Sequence, residues 1–192
     1  MRRALAALLL AGCAAPPPKP AVVSDLPAER LRLAADLSMA GFAHYCMGGV
    51  GRPAVMTERL KADGFTPTPE GATPAAPFRR EVWRAAGRPF FVAVVEGGAG
   101  CTVVAPYADG NHAAALLGQA MERVASEGGP VAPLLVPANE APGGGAREER
   151  YQIRPRNGPL VMEIRLRANP PGSDRVALIL VATIARDNAT RT

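Results

Sequence analysis

The sequence predicts an α+β fold, with an antiparallel sheet of about five to six strands and helices packed on one face. The predicted strands form two clusters and do not alternate with helices, which favours an antiparallel sheet. Short turns separate neighbouring strands within the first cluster, as expected for antiparallel partners. Hydrophobic residues make up 48% of the 192 residues, so the chain can bury a core.

Two helices are predicted before the first strand. The first is capped by Ser24 or Asp25 and extends to about Met47, and its wide apolar arc indicates a mostly buried helix. The second spans about residues 53–63, where a proline suits the first turn and a glycine follows the last. Residues 66–77 contain four prolines and are predicted to form a loop.

Three strands and a third helix come next. Residues 81–85, 90–96 and 101–105 have the composition of strands, and glycine-containing turns separate them. The third helix is predicted over about residues 111–126, where a set of apolar side chains shares one face. Trp83 and the Phe90-Phe91 pair are predicted to pack in the core, and the alternative is that they line a pocket.

The C-terminal part is predicted as a long loop followed by three more strands. Residues 128–146 contain five glycines and four prolines, and the apolar run at 131–136 is predicted either to pair briefly or to pack as a lid. Asn157-Gly158 is a strong hairpin signal. The last three strands are predicted near residues 150–154, 160–167 and 176–185.

The last two strands differ in pattern. In residues 160–167, one apolar set alternates with a second set that includes Glu163, Arg165 and Arg167, which predicts one buried face and one wet face. Residues 176–184 form an apolar run, which predicts a central strand covered on both faces. The predicted order is therefore α-α-β-β-β-α-β-β-β. The two groups of three strands hint at a duplication, although their residues do not match.

The first 13 residues have the pattern of an export signal. Arg2 and Arg3 precede an apolar run over residues 4–10, which is too short to span a bilayer as a mature helix. The sequence Leu-Ala-Gly-Cys at 10–13 resembles the lipobox of bacterial prolipoproteins. This resemblance covers only residues 1–13. It implies that the thiol of Cys13 receives diacylglycerol, that a peptidase cleaves before it, and that the new amino group is acylated.

The lipobox resemblance also implies a layout for the chain. Residues 1–12 are expected to form a lipoprotein signal peptide, and 13–23 a lipidated cysteine on an extended, proline-rich tether. A single α+β domain is predicted over 24–188, with a tail at 189–192. Ala14, rather than aspartate, follows the cysteine. By similarity to enterobacterial sorting, this implies a lipid-anchored envelope protein in the outer membrane, facing the periplasm.

Two cysteines remain once Cys13 carries lipid. Export would place Cys46 and Cys101 in an oxidising compartment, where an even pair predicts a disulfide. Such a bond would close a loop of about 55 residues and restrict the unfolded chain by roughly 4 kcal/mol. The alternative is a reactive thiol, because Cys46 closely follows His44 and a Cys–His pair can act as a nucleophile.

The small net charge argues against nucleic-acid binding, and the positive charge is concentrated in the C-terminal part of the chain. The net charge is +5, and from Cys13 onward 20 Lys+Arg face 17 Asp+Glu, which is a small excess. Residues 147–192 carry nine arginines against five acids. Arg154, Arg165 and Arg167 are therefore candidate contacts to an anionic partner or lipid. The alternative is an ordinary solvated strand face.

The best candidate for chemistry is His112, at a predicted strand-to-helix turn. Asp109 and Asn111 are close to it in sequence and can converge with it, although both are also ordinary helix caps. The other histidine, His44, lies on the apolar side of the first helix and is predicted to be a core residue. No GxSxG, HExxH, Walker A or dinucleotide-binding pattern occurs, so no cofactor or metal is predicted.

Three functions follow from these features. The leading hypothesis is a non-catalytic, lipid-anchored envelope module that binds a partner protein or ligand. The second is a membrane-anchored periplasmic enzyme, hydrolase-like, that uses His112 with Asp109. The third is a structural envelope protein that contacts an anionic polymer or lipid through Arg154, Arg165 and Arg167.

Overall fold

The computed structural model describes most of the predicted domain. The predicted lipid-anchor residue Cys13, the tether, the caps proposed at Ser24 and Asp25 and the Asn157-Gly158 turn lie outside the described residues. The described residues are 26–70, 79–127, 129–134, 145–154, 160–170 and 176–186.

Three α-helices occupy the predicted positions. Helix α1 (Ala28–Gly41) continues as a π-helical turn (Phe42–Met47), so the first helix ends where the sequence predicts but changes its winding on the way. The change begins after Gly41, where a Cβ atom would lie 2.5 Å from the Phe90 ring. Helices α2 (Pro53–Ala62) and α3 (Gly110–Ser126) follow.

Eight antiparallel strands form one sheet in the described part of the chain. Their order across the sheet is β1-β2-β3-β4-β8-β7-β6-β5, so β4 and β8, the last strands of the runs β1–β4 and β5–β8, meet at the centre. The strands are β1 (Thr66–Glu70), β2 (Arg80–Arg84), β3 (Phe91–Val95), β4 (Gly100–Ala105), β5 (Val131–Leu134), β6 (Arg147–Ile153), β7 (Leu160–Ala168) and β8 (Leu178–Arg186).

The prediction of five to six strands was too low because both edge strands lie in segments that were assigned to loops. Strand β1 contains Pro67 and β5 contains Pro133, and proline argued against a strand at both places. An edge strand bonds to a neighbour on one side only, so it accepts a proline whose missing N–H faces outward. Of the two alternatives for the apolar run at 131–136, brief pairing is observed for residues 131–134, with β6, and residues 135–136 lie outside the described part of the chain.

The two halves of the sheet follow the same path. In the first half, α1 precedes a meander of four strands, β1 to β4, and in the second half α3 precedes another, β5 to β8. Helices α1 and α3 pack against each other, as β4 and β8 pair with each other. The hint of duplication in the sequence therefore corresponds to a repeated topology, with α2 added in the first half.

The core lies between the helices and one face of the sheet. Helix α1 packs on β4, the π-helical turn packs on β4 and β8, and α3 packs on β6 and β7. The apolar side chains that point to the helices come from alternate positions, as in Val103 and Leu180, which are cross-strand partners and fully buried. This placement confirms an α+β fold, with α1, the π-helical turn and α3 on one face of the sheet and α2 packed on the π-helical turn.

The predicted disulfide is present. Cys46, in the π-helical turn, is bonded to Cys101, in β4, with a Cα–Cα distance of 5.2 Å. Both residues are fully buried. The bond attaches the end of the first helix to a central strand, so Cys46 is a structural half-cystine and not a reactive thiol.

The opposite face of the sheet, called here the open face, carries no helix among the described residues. Strand β8 is central, as predicted, but helices cover only one of its two faces in this part of the chain. Ile179 and Val181 of β8 and Val104 of β4 point to the open face and are half-buried. No helix in the described segments is both long and apolar enough to cross a membrane.

Candidate functional site

The first residues of α3 are fixed by a cap. The carboxylate of Asp109 accepts a hydrogen bond from the backbone N–H of His112 at 3.0 Å, so Asp109 and not Asn111 is the cap. Gly110 lets this end of α3 approach β7, because a Cβ atom there would collide with Ala168. The second oxygen of Asp109 lies 3.6 Å from Nε of Arg32 on α1.

The imidazole of His112 contacts a residue that the sequence did not single out as its partner. Its Nε2 lies 2.8 Å from Oδ1 of Asp36 on α1. The side chains of His112 and Asp36 are 33% and 53% exposed. The predicted convergence of His112 with Asp109 is thus limited to the backbone cap, and Asn111 is exposed beside it.

The Asp36 carboxylate can orient the imidazole of His112, but none of the contacts described brings a nucleophile to it. Ser38, two residues after Asp36, is fully buried and its hydroxyl donates to the carbonyl of Ala34 at 2.6 Å. A cavity of about 300 Å³ adjoins Asp109, with Arg147 and Asn169 in its wall. No group of three or more His, Cys, Asp or Glu suited to a metal occurs in the part of the chain that is described.

His44 is exposed, which corrects its prediction as a core histidine. Its side chain is 53% exposed and its Nε2 lies 3.6 Å from Oδ2 of Asp63. The buried neighbour is Tyr45, whose hydroxyl donates to the same Asp63 oxygen at 2.6 Å. Burial, with help from the adjacent Asp63 carboxylate, raises the pKa of Tyr45. This cluster attaches the π-helical turn to the end of α2.

Two of the three predicted anion contacts lie side by side on the open face. Arg165 and Arg167 of β7 face Arg150 and Glu148 of β6 in the cross-strand register. Glu148 is 6% exposed, and its Oε1 accepts a hydrogen bond from Nε of Arg150 at 2.7 Å. The third predicted contact, Arg154, is exposed just after the end of β6, and its backbone N–H donates to the carbonyl of Pro130.

The arginines of β7 differ in their surroundings. Arg165 is 50% exposed, and its Nε lies 3.7 Å from the Glu148 carboxylate. The Nε of Arg167 is buried and has no hydrogen-bond partner among the described residues. Most buried N–H groups in proteins are paired, so this guanidinium still has a donor to satisfy.

A second cationic border lies on the far side of the sheet centre. The guanidinium of Arg84, at the end of β2, lies 4.4 Å from the centre of the Phe91 ring on β3. Arg80, Val82 and Arg84 occupy alternate positions of β2, so Arg80 points to the same face as Arg84. Arginine borders therefore flank an apolar centre, and this shape is called here the trough. Its floor is Ala93, Thr102, Val104, Ile179, Val181 and Thr183.

Comparison with known proteins adds no assignment. No protein-family model, curated protein or solved structure matches this chain. The trough and the His112–Asp36 pair are therefore the two candidate sites, and each rests on the geometry described above.

Sequence reasoning found one side of the trough and missed the other. The alternation in residues 160–167 places Arg165 and Arg167 on one face, and the structure confirms it. Arg84 had no such signal, because its relation to Phe91 depends on the pairing of β2 with β3. Asp36 was equally hidden, since it meets His112 across 76 residues of sequence.

Proposed function

We propose that this protein is a lipid-anchored protein of the bacterial cell envelope and a non-catalytic module that binds a partner protein. Lipid on Cys13 would hold it in a membrane, with the outer membrane, facing the periplasm, as the expected location. Binding would occur at the trough on the open face of the sheet. The observation that carries the binding role is this apolar face bordered by Arg84, Arg165 and Arg167.

The composition of the trough supports a binding role. Protein interfaces combine an apolar centre with a polar border and are enriched in arginine and aromatic residues. The trough has this arrangement, with Val181 and Ile179 in the floor and the Arg84–Phe91 pair at one border.

Two features support the envelope location. The residues at 10–13 resemble a lipobox, and the proline-rich stretch after it is suited to an extended spacer. The Cys46–Cys101 disulfide is of a kind that persists in oxidising compartments. We do not expect the chain to require a cofactor.

The anchor is tested by replacing the cysteine that would carry it. The full chain and its Cys13→Ser variant are expressed in a bacterium labelled with radioactive palmitate, with Ala15→Ser as the matched control. We expect label and membrane fractionation for the full chain and for Ala15→Ser, and loss of both for Cys13→Ser. Equal membrane association of Cys13→Ser and the parent, without label in either, would refute the lipid anchor.

A membrane-anchored hydrolase is the second candidate, and the His112–Asp36 pair favours it. A carboxylate that orients an imidazole is an arrangement used in general-base catalysis, where the imidazole can activate water. The test is turnover of ester and peptide substrates by the parent chain and by His112→Ala, with Asn111→Ala as the control. Turnover lost only in His112→Ala would establish the enzyme and displace the binding module.

A structural protein that contacts an anionic polymer or lipid is the third candidate. The exposure of Arg154 and Arg165 favours it. Binding to envelope fractions that weakens as salt is raised would support this role, because screening weakens contacts between exposed charges.

A further inference from the structure

We propose that the trough binds one amphipathic α-helix of a partner protein, with an apolar face and acidic flanks. This inference rests on the binding role proposed above and names the chemistry of the partner. The floor of the trough comes from three adjacent strands, β3, β4 and β8. Within it, Val104 faces Ile179 and Thr102 faces Val181 across the β4–β8 pair.

The floor is mostly apolar, on a face that no described helix covers. In antiparallel sheets with one wet face, polar residues occupy that face. Here the central strand β8 places Ile179 and Val181 on the open face, where they are half-buried, and Ala93 of β3 on the same face is only 7% exposed. A strand that is apolar on both sides is typical of a sheet with a layer on each face.

The width of the trough fits one helix. Its borders are on β2 and β7, four strand spacings apart, which amounts to about 19 Å at about 4.8 Å per strand. A helix with its side chains is about 10–12 Å across, so one helix fits between the arginine borders and two do not. Strand β4 has six residues and is about 20 Å long, which corresponds to about 13 residues of helix.

The charge of the open face defines the flanks of that helix. Five arginines with described side chains point to it, against two glutamates. Because Arg84 on β2 and Arg165 and Arg167 on β7 border this floor, they complement a helix whose apolar stripe has acidic residues on both sides. The residues are Arg80, Arg84, Arg150, Arg165 and Arg167 with Glu148 and Glu163.

The guanidinium of Arg167 lies at the β7 border of the trough. Its Nε has no hydrogen-bond partner among the described residues, and it lies on the border of the trough opposite Glu148. A carboxylate from a bound helix would accept hydrogen bonds from the outer Nη groups of this guanidinium, while the buried Nε stays out of its reach.

Other occupants fit less well. A second copy would bring the same excess of arginines against this one, and like charges facing each other oppose association. A flat lipid surface would meet the long arginine side chains first and leave the floor between the borders without apolar contact. A convex apolar object with acidic flanks satisfies both the floor and the borders.

The test uses the full mature chain in an uncharged detergent and a synthetic helix as the probe. The probe is a fluorescent peptide of about 14 residues with leucines on one face and glutamates on both flanks. A peptide of the same composition in scrambled order is its control. We expect saturable binding of the probe, weakening as salt is raised, and no binding of the scrambled peptide.

Variants locate the binding. Arg84→Gln with Arg165→Gln should weaken binding of the probe about tenfold at low salt, and Val181→Asp should abolish it. Arg123→Gln, an exposed arginine on α3, is the matched control and should bind as the parent does. Thermal unfolding verifies that each variant is folded.

Three outcomes would overturn the proposal. The first is equal binding of the probe and the scrambled peptide, or equal binding by the parent and the Arg84/Arg165 variant. The second is a dimer of the parent, by sedimentation, that Val181→Asp dissociates. The third is binding to phosphatidylglycerol vesicles, but not to the probe, that depends on Arg165. Absence of palmitate label from the parent chain would refute the anchor and leave these results intact, so the two proposals fail separately.

Discussion

Nε2 of His112 lies 2.8 Å from Oδ1 of Asp36, and this contact joins α3 to α1. Each of these helices precedes one of the two four-strand meanders. The contact therefore links the two topological halves on the helix side of the sheet, as the β4–β8 pairing links them within the sheet. The geometry of this contact fits a structural link between the helices as well as a general base. Unfolding measurements report how much the contact contributes to the stability of the fold.

The His112–Asp36 contact should contribute little to stability. Both side chains are partly exposed, so solvent screens the pair and its contribution should be below about 1 kcal/mol. A double-mutant cycle with His112→Ala and Asp36→Ala, followed by urea unfolding, measures the coupling. A coupling of several kcal/mol would contradict this expectation, because it would show that the pair stabilises the fold much more than exposed pairs usually do.

Glu148 should contribute more to the stability of the fold than the other glutamate on the open face, Glu163. It is 6% exposed and accepts from Arg150, which is 15% exposed, so removing the carboxylate leaves a cation in a poorly solvated place. Glu148→Ala should lower the free energy of unfolding by about 2 kcal/mol or more. Glu163→Ala, on the same face, is the control and should change it by less than about 0.5 kcal/mol. Similar losses in the two variants would contradict this reading.

The disulfide should be the strongest single covalent contribution to stability. Replacing Cys46 and Cys101 together by alanine frees a loop of 55 residues in the unfolded chain. The expected loss is up to about 4 kcal/mol by the chain-entropy argument. Reductant should lower the melting temperature of the parent and leave the double variant unchanged. A parent that melts at the same temperature with and without reductant would show that the bond does not stabilise the fold.

Tyr45 should make stability fall at high pH. Its pKa in the folded protein is raised by burial and by Asp63, whereas in the unfolded chain it is near its ordinary value of 10.0. The neutral phenol is therefore favoured by folding, and this stabilisation is complete below pH 10 and declines as pH rises above it. Tyr151, whose pKa is also raised by burial, adds to the same decline.

The replacement Tyr45→Phe tests this pH dependence. It removes one titrating group and the hydrogen bond to Asp63, so it should lower stability by about 1 kcal/mol at pH 7. Above pH 10, its stability should fall less steeply than that of the parent. The stability of both proteins is measured as a function of pH by urea unfolding, monitored by circular dichroism. Parallel stability curves for parent and variant above pH 10 would contradict the assignment.

Local patterns predicted the elements whose residues carry a clear period. The apolar run of β8 predicted a central strand, and the alternation in β7 predicted which side chains share the face of Arg165. The Cys46–Cys101 bond followed from counting cysteines in a chain predicted to be exported. The two strand predictions depend on residues near one another in sequence, and the disulfide prediction depends on there being only two cysteines left to pair.

Other features depend on tertiary pairing and were missed or wrong. Strands β1 and β5 contain prolines that read as loop, and only their edge position accommodates them. His44 lies on the apolar side of an ideal α-helix, but it falls in the π-helical turn, which changes the direction of its side chain. The Arg84–Phe91 contact requires the β2–β3 register, which no local pattern specifies.

The intact mass of the protein extracted from bacterial membranes tests the lipid anchor most directly. We expect a chain that begins at Cys13, carries a diacylglycerol group and an amide-linked acyl chain, and is lighter by two hydrogen atoms because of the disulfide. Cys13→Ser serves as the control and should lack the lipid mass. An unlipidated chain that begins at Met1, or at a residue other than Cys13, would contradict the account.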